Sequence, residues 1–450
     1  MTAVLLRDEL VGLIQTWSSI PLSLDDDTSL IASGLLDSLA LFNLILWIEQ
    51  KTGRNIEPTS VNLVAEWDSI TRILQYIQNS TVIGQSPAAV PSSPAAASYD
   101  GQPTQRDYRV VRYTPDHKHA VAEFQEGLWS RNPSRNLQYL EWKYEQNPYA
   151  NEGRIYLAFY NDLIVGMRGF YGSRWEAGVP ARQMPVLVAD DLLAAEHHRN
   201  RGLVTQVMQA AFEDLRDSGA RFVLNLSGGP LTVLNSLAMG WKSFGRARPM
   251  NRRPVRFVPT RIQRLFRKER PLFSRFDRAG IGETQPRPDA MARLIQRIGH
   301  DGRLRHVRDR SYFDWRFRNP FREYRFLYAG DEALDGYLVL KREKHAQDVS
   351  IVDLEAINRG VRAGLLKAAV TAGAFRDLSI WTSTADAQLL EQLAALKFER
   401  PDSGTAALGQ PFLIRMIDLD PPDAEWRLED GRQLLEARNW DIRRLYSMEG

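Results

Sequence analysis

The chain has 450 residues and a mass of 51.3 kDa, which at about 150 residues per domain implies about three domains and excludes a single small module. Hydrophobic residues make up 44% and charged residues 25%, a globular balance that excludes bulk disorder. There is no cysteine, so disulfides, thiolate metal sites and a cysteine nucleophile are excluded, and any thiol chemistry needs a thiol brought from elsewhere. The net charge of +3 is unevenly spread. Residues 1–84 hold ten acids (Asp8, Glu9, Asp25, Asp26, Asp27, Asp37, Glu49, Glu57, Glu66, Asp68) against four bases (Arg7, Lys51, Arg54, Arg72), a net −6 that leaves about +9 for the rest.

In chain order, Val4 to Trp17 carries apolar residues at helical spacing, a Pro21 and Asp-rich loop follows, Asp37-Ser38 opens an apolar helix from Leu39 to Lys51, and a further helix is expected from about Ser69 to Gln78. These pieces predict a small all-α four-helix bundle over residues 1–82. The longest apolar run, residues 40–48, is interrupted by Asn43, far short of the roughly 20 residues that cross a bilayer. Arg7, Asp8 and Glu9 would break a signal peptide's apolar region, so a cytoplasmic chain with no membrane insertion is expected. Residues 86–103 contain five Ala, four Pro and four Ser. They read as a flexible linker (83–106) that could reach ~60 Å at ~3.3 Å per residue.

Beyond it the pattern is mixed α/β. Tyr156 to Tyr160 and Leu163 to Tyr171 read as paired strands around Asn161-Asp162, Val186 to Ala189 as a strand, Leu203 to Ser218 as an amphipathic helix and Arg221 to Leu226 as a strand. Tyr139-Leu-Glu-Trp142-Lys-Tyr-Glu-Gln-Asn147-Pro-Tyr149 recurs, one residue shorter, as Tyr312-Phe-Asp-Trp315-Arg-Phe-Arg-Asn319-Pro-Phe321, and the same succession of elements follows each copy. The expected layout is two copies of one α/β unit, lobe 1 (107–250) and lobe 2 (291–450), joined by a basic connector (251–290). Residues 246–278 hold twelve Arg or Lys against Glu269 and Asp277 with little aromatic interleaving. A solvated connector or a docking face for the acidic bundle fits this better than a nucleic-acid surface.

Asp25-Asp-Asp-Thr-Ser-Leu30, Gly34-Leu-Leu-Asp37-Ser38-Leu39 and the apolar helix ending Trp47-Ile-Glu49 resemble an acyl carrier protein over nearly all of residues 1–80. The resemblance implies that Ser38, flanked by Asp37 and Leu39, carries 4′-phosphopantetheine, attached by a phosphopantetheinyl transferase and charged by an acyl-activating ligase or other donor system. Physically, a serine at a helix N-terminus offers a hydroxyl where backbone N–H groups favour a phosphate; the same residue could serve only as a helix cap.

Glu196-His-His-Arg199-Asn-Arg201-Gly202-Leu203-Val204, at a strand-to-helix junction, and Met239-Gly240-Trp241 further on resemble the GCN5-related N-acetyltransferase (GNAT) superfamily. The resemblance assigns phosphate binding to Arg199, Arg201, Gly202, Leu203 and Val204, with Val204 where relatives have a small residue, and makes acyl-CoA or acetyl-CoA an alternative donor. It also assigns oxyanion stabilisation to backbone N–H groups between Asp191 and Ala194. Ser236 falls where many relatives place a tyrosine acid. Asp190 and Asp191 at the strand end are the base candidates, with Glu196, His197 and His198 behind them, and no His or acid spacing suggests a metal. Lobe 2 lacks the spaced Arg-x-x-Gly, its closing turn is Leu396-Lys397-Phe398 without glycine, and it is expected to be a degenerate partner.

The leading expectation is an N-acyltransferase that moves an acyl group from a thioester on its own carrier to a small-molecule or peptide amine, as in secondary metabolism. The alternatives are an acetyl-CoA-dependent enzyme acting on a carrier-tethered aminoacyl group and a non-catalytic scaffold.

Overall fold

In a computed structural model the described residues are 3–17, 25–31, 36, 38–54, 56, 58, 61–80, 108–199, 201–252, 283–342, 348–372, 375, 377–401, 409–418, 426–448 and 450. The expected linker and most of the basic connector lie outside them.

The N-terminal region is helical: α1 (Ala3–Trp17), α2 (Ser38–Thr52), α3 (Leu63–Trp67) and α4 (Ile70–Ser80). The short α3 lies between the second and third expected helices; Asn62 caps it by accepting from the Ala65 amide at 3.1 Å. Leu10, Leu41, Leu44, Ile48, Trp67, Ile73 and Ile77 fill the centre. Asp68 ties the long loop to the helices, accepting from the Ile31 amide at 2.7 Å and the Ser29 hydroxyl at 2.9 Å.

Lobe 1 comprises β1 (Arg109–Arg112), α5 (Lys118–Phe124), α6 (Pro133–Leu140), β2 (Arg154–Tyr160), β3 (Leu163–Ala177), β4 (Arg182–Ala194), α7 (Leu203–Leu215), β5 (Phe222–Asn225), α8 (Pro230–Ala238), β6 (Lys242–Arg246) and β7 (Pro249–Arg252). Lobe 2 comprises α9 (Pro288–Ile298), β8 (Leu304–His306), α10 (Arg310–Arg316), β9 (Tyr324–Ala329), β10 (Gly336–Arg342), β11 (Asp348–Ala356), α11 (Arg359–Ala372), β12 (Asp377–Trp381), α12 (Ala387–Ala395), β13 (Pro411–Met416) and β14 (Trp440–Asp441). Asn161 and Asp162 both take positive φ (47° and 62°), the left-handed pair that lets a two-residue turn follow strand twist.

The sheets do not follow the expected lobe boundary. The first sheet runs β1-β2-β3-β4-β5-β13-β6 and the second β7-β12-β11-β10-β9. Thus β13 inserts between two strands of lobe 1, while β7 pairs antiparallel with β12 of lobe 2. β8 adds to the first sheet through Trp175↔His306. One apolar core, including Trp142, Trp175, Tyr312, Trp315 and Val339, therefore belongs to both lobes.

The repeated sequence lies at the centre of this exchange. Trp142 and Trp315 stack at 4.9 Å and 12°. The indole N–H of Trp142 donates to the Trp315 carbonyl at 2.8 Å, and that of Trp315 to the Trp142 carbonyl at 2.7 Å, a two-fold relation between the copies. Copy 2 is an ordinary α-helix, whereas the extra residue of copy 1 is absorbed as a π-turn over Glu141–Glu145, with the Gln146 amide donating to the Glu141 carbonyl at 2.8 Å.

Two consequences are testable. Lys397 closes α12 with φ +61°, in the position that Gly240 (φ +83°) takes after α8, and the Phe398 amide donates back to Leu393 as that of Trp241 does to Ser236. Because a side chain in this region is strained, Lys397→Gly should stabilise the protein by roughly 0.5–1 kcal/mol in denaturant titration. His306, 4% exposed among Trp175, Tyr312 and Tyr446, has its pKa driven by burial from 6.5 to about 3. The unfolded chain takes up this proton below about 6.5 and the fold refuses it until about 3, so stability is unaffected above that window and falls within it. The fall is about 1.4 kcal/mol per pH unit from this residue. The melting temperature of His306→Phe should therefore fall less between pH 6.5 and 4 than that of the wild type.

Candidate functional site

Strands β4 and β5 run parallel but share register only at Leu187↔Val223 and Val188↔Leu224, although β4 continues to Ala194. Beyond Val188 the strands part and leave a split in the sheet. On one side of it, residues 195–202 lead into α7. Gly202, with φ 69°, is the left-handed turn that starts the helix, and its carbonyl accepts from the Gln206 amide at 3.0 Å. Arg199 is exposed and its Nε holds the Ala194 carbonyl at 3.2 Å; Arg201 is half-buried. Leu203 is buried and Val204 packs partly into the core under the helix. The helix N-terminus and the two arginines make an anion-attracting mouth. The ring of His198 meets the Tyr108 hydroxyl at 3.0 Å, while Glu196 and His197 are exposed.

On the other face, β4 bulges. Between Met167↔Leu193 and Gly169↔Asp190 the ladder slips, and Asp191 takes φ +52°. Successive strand residues normally face opposite ways; the bulge turns both carboxylates to one face. There Lys143, fully buried, donates to Asp190 at 2.7 Å and to Asp191 at 2.8 Å. Asp191 also accepts from the Tyr144 hydroxyl at 2.6 Å and the Trp129 indole at 2.8 Å. The ammonium sits 5.3 to 5.5 Å from the ring centres of Trp129, Tyr139, Tyr144 and Tyr171. Burial pushes the Lys143 pKa down, the two carboxylates push it up harder, and the net is a lysine held charged. Burial also raises the Tyr144 hydroxyl well above its ordinary value. The side chain of Asp190 is 13% exposed and that of Asp191 is fully enclosed.

The structure thus brings Asp190 and Asp191 together on Lys143, in the stretch of β4 past its last pairing with β5, and the Arg199–Val204 turn follows the end of the same strand. Ser236 is 3% exposed and its hydroxyl donates to the Thr232 carbonyl at 2.7 Å, into its own helix. Asp37 lies outside the described residues, and of Ser38 and Leu39 only the helical backbone is described. Trp129, Lys143 and Tyr144 escaped the sequence reading; the signal available was the one-residue-longer spacer of copy 1, which is the π-turn that presents Lys143 and Tyr144 to the bulge.

The helical region does not stand apart. Helices α2 and α3 pack on α8, which follows the far strand of the split, and the apolar side chains of the bundle are continuous with those beneath α7 and α8.

Lobe 2 repeats the split: β11 and β12 pair only from Asp348↔Asp377 to Ile351↔Ile380. Here Arg443 fills it, at 2.8 Å from Asp353, 2.6 Å from Glu355 and 3.0 Å from Asp441, and donates to the Leu354 carbonyl at 2.6 Å. A cavity of about 370 Å³ remains beside it, bordered by Asp301, Arg303, Arg362, Trp381 and Asp386. Among the described residues no group of His, Asp or Glu is arranged to hold a metal, and no helix is long and apolar enough to cross a membrane.

Residues 8–77 match the family model described as Phosphopantetheine attachment site, and residues 109–227 match the one described as Acetyltransferase (GNAT) domain. A search of curated proteins finds no match. Among solved structures, the chain is similar to a GCN5-related N-acetyltransferase from Kribbella flavida (14% identity, 69% of this chain, 71% of that one, TM-score 0.46). It is also similar to a protein of Enterococcus faecalis V583 described as a probable N-acyltransferase (10%, 71% and 74%, TM-score 0.47). A third is a tandem GNAT protein from the clavulanic acid biosynthesis pathway (13%, 70% and 100%, TM-score 0.43).

Proposed function

We propose that this chain, which joins a phosphopantetheine attachment domain at residues 8–77 to a GNAT acetyltransferase domain at residues 109–227, is an N-acyltransferase fed by its own carrier. In this reading an acyl thioester on the Ser38 arm is donated to an amine bound at the split of lobe 1. The arm supplies the thiol that a chain without cysteine lacks.

The observation that carries the reading is the seating of α2 and α3 on α8. Ser38 begins α2, and a 15-residue helix is ~22 Å long, so the attachment point lies within that distance, along α2, of the contact with lobe 1. Asp190, the less enclosed of the two acids, takes the proton of the attacking ammonium. Lys143 and Asp191 hold it in place. Amides of the Asp191–Ala194 segment, past the last residue paired with β5, face the developing oxyanion. Arg443 fills the matching split of lobe 2, which supports a partner lobe without acyl transfer. A phosphopantetheinyl transferase and an acyl-loading enzyme are the partners required.

The exposed Arg199 beside the start of α7 favours a second reading, in which acetyl-CoA is the donor and an aminoacyl group on the arm the acceptor. One experiment separates them. Holo protein loaded on Ser38 with an acyl group is mixed with an amine, and holo protein loaded with an aminoacyl group is mixed with acetyl-CoA, and both are followed by intact mass. Loss of the acyl mass with formation of an N-acyl amine, without added CoA and at a first-order rate unchanged by dilution, supports the first reading. A mass gain on the arm that requires acetyl-CoA supports the second. Neither change would sink both and leave a scaffold.

A further inference from the structure

Arg168 lies on β3 opposite Tyr156, at the slip that creates the Asp190–Asp191 bulge. It is 2% exposed. Among the described residues its side chain makes no hydrogen bond or ion pair, and its Nε is buried without a partner. Its guanidinium lies over the ring of Phe170, 5.6 Å from the guanidinium carbon to the centroid. The other fully buried cations beside the two splits are tied down: Lys143 holds two carboxylates, Arg308 holds Asp353 and Glu355, and Arg316 donates to three carbonyls. Burial pulls the Arg168 pKa down to about 10, and the pull of Asp190, Tyr144 and Asp191 from a distance does not compensate. Two residues away, Gly166 lies under Leu203, where an added Cβ would come within 3.0 Å of the leucine, so this stretch of β3 runs beneath the start of α7.

An unpaired buried guanidinium is among the costliest features a fold can keep. A group left so in a native fold calls for a partner from outside the protein or a functional role. We infer that Arg168 is the anion-binding residue of the lobe 1 split, taking one carboxylate or phosphate group of a bound substrate through the planar fork suited to that task. Two sources have this chemistry: the phosphodiester of the Ser38 arm, and a carboxylate carried by the amine acceptor. The inference holds whichever way the acyl group moves, and its first test does not use turnover.

The test is thermal melting of the full, unloaded chain and of Arg168→Met and Arg168→Lys, with and without acetate or inorganic phosphate at fixed ionic strength. Without anion, Arg168→Met should melt at or above the wild type, since an unpaired charge is gone. Added anion should raise the melting temperature of the wild type, raise that of Arg168→Lys less, and leave Arg168→Met unmoved. A Met variant that melts several degrees below the wild type would mark a structural residue and overturn the inference, as would an anion shift that survives the substitution. The source is then read in two arms. If loading Ser38 raises the wild-type melting temperature but not that of Arg168→Met, the arm is the anion. If glycine raises it where methylamine does not, and the effect is lost in Arg168→Met, the acceptor carries it, and KM for such an acceptor should rise about 10- to 100-fold in the variant. Failure of both arms overturns the inference.

Discussion

Replacing Ser38 with alanine should leave a folded chain that gains no phosphopantetheine and transfers no acyl group. Ser38 occupies the first position of α2, and the buried face of that helix is built from Leu41, Leu44, Ile45 and Ile48, none of which the substitution touches. The bundle and its seating on α8 should therefore survive, as circular dichroism and melting would show. The loss should be complete rather than partial, because with no cysteine in the chain no other side chain can carry the thioester. A free acyl-phosphopantetheine added in solution should restore slow turnover, since the split and Asp190, the proposed base, are untouched. What the tether contributes is an effective concentration on the order of mM, so rescue should need comparable amounts of added donor. If Ser38→Ala turns over normally with micromolar acyl-CoA, the carrier is not the donor.

How much of this was legible in the sequence differs from element to element. The carrier helices and the order of strands in each lobe follow from apolar periodicity and from turn residues such as Asn161-Asp162, which are local properties. The exchange of β7 and β13 between sheets was not legible. β7 is a four-residue Pro-Met-Asn-Arg strand and β13 a six-residue apolar one, and which sheet each joins is set by partners far away in sequence, β12 for β7 and β5 and β6 for β13. The site divides in the same way. Asp190, Asp191, Arg199 and Gly202 stand out because a strand end and a helix start are sequence features. Lys143 and Arg168 do not, because what marks them is burial: one is enclosed by two carboxylates and four rings, the other by nothing that answers its charge. A lysine in an aromatic helix end and an arginine in a strand look ordinary until the fold removes water from both. The repeat contained a hint in its unequal spacers, since a one-residue insertion in a helix must appear as a π-turn or a break.

The second large effect is expected at Lys143. Its ammonium is fully enclosed, within 2.8 Å of both Asp190 and Asp191, so Lys143→Met leaves two carboxylates facing each other with no cation in contact. Removing one partner of a buried ion pair costs about 3–5 kcal/mol, and the loss should appear in denaturant unfolding of the two lobes as one transition, because the exchanged strands and the common core prevent either from unfolding alone. The tyrosine and tryptophan donors to Asp191 remain, which sets the effect at the lower end of that range. The penalty belongs to the unmatched charge and not to the lost methylene packing, so it should depend on Asp191. In an Asp191→Asn background, where one negative charge is already gone and the amide can still accept from Tyr144, Lys143→Met should cost less than half as much, giving a coupling of roughly 1.5–3 kcal/mol in a double-mutant cycle. Additive costs would show that Lys143 acts by filling space. Coupled costs would show that the π-turn of copy 1 exists to hold a cation against this bulge, which is what distinguishes lobe 1 from a lobe whose split is filled by its own arginine.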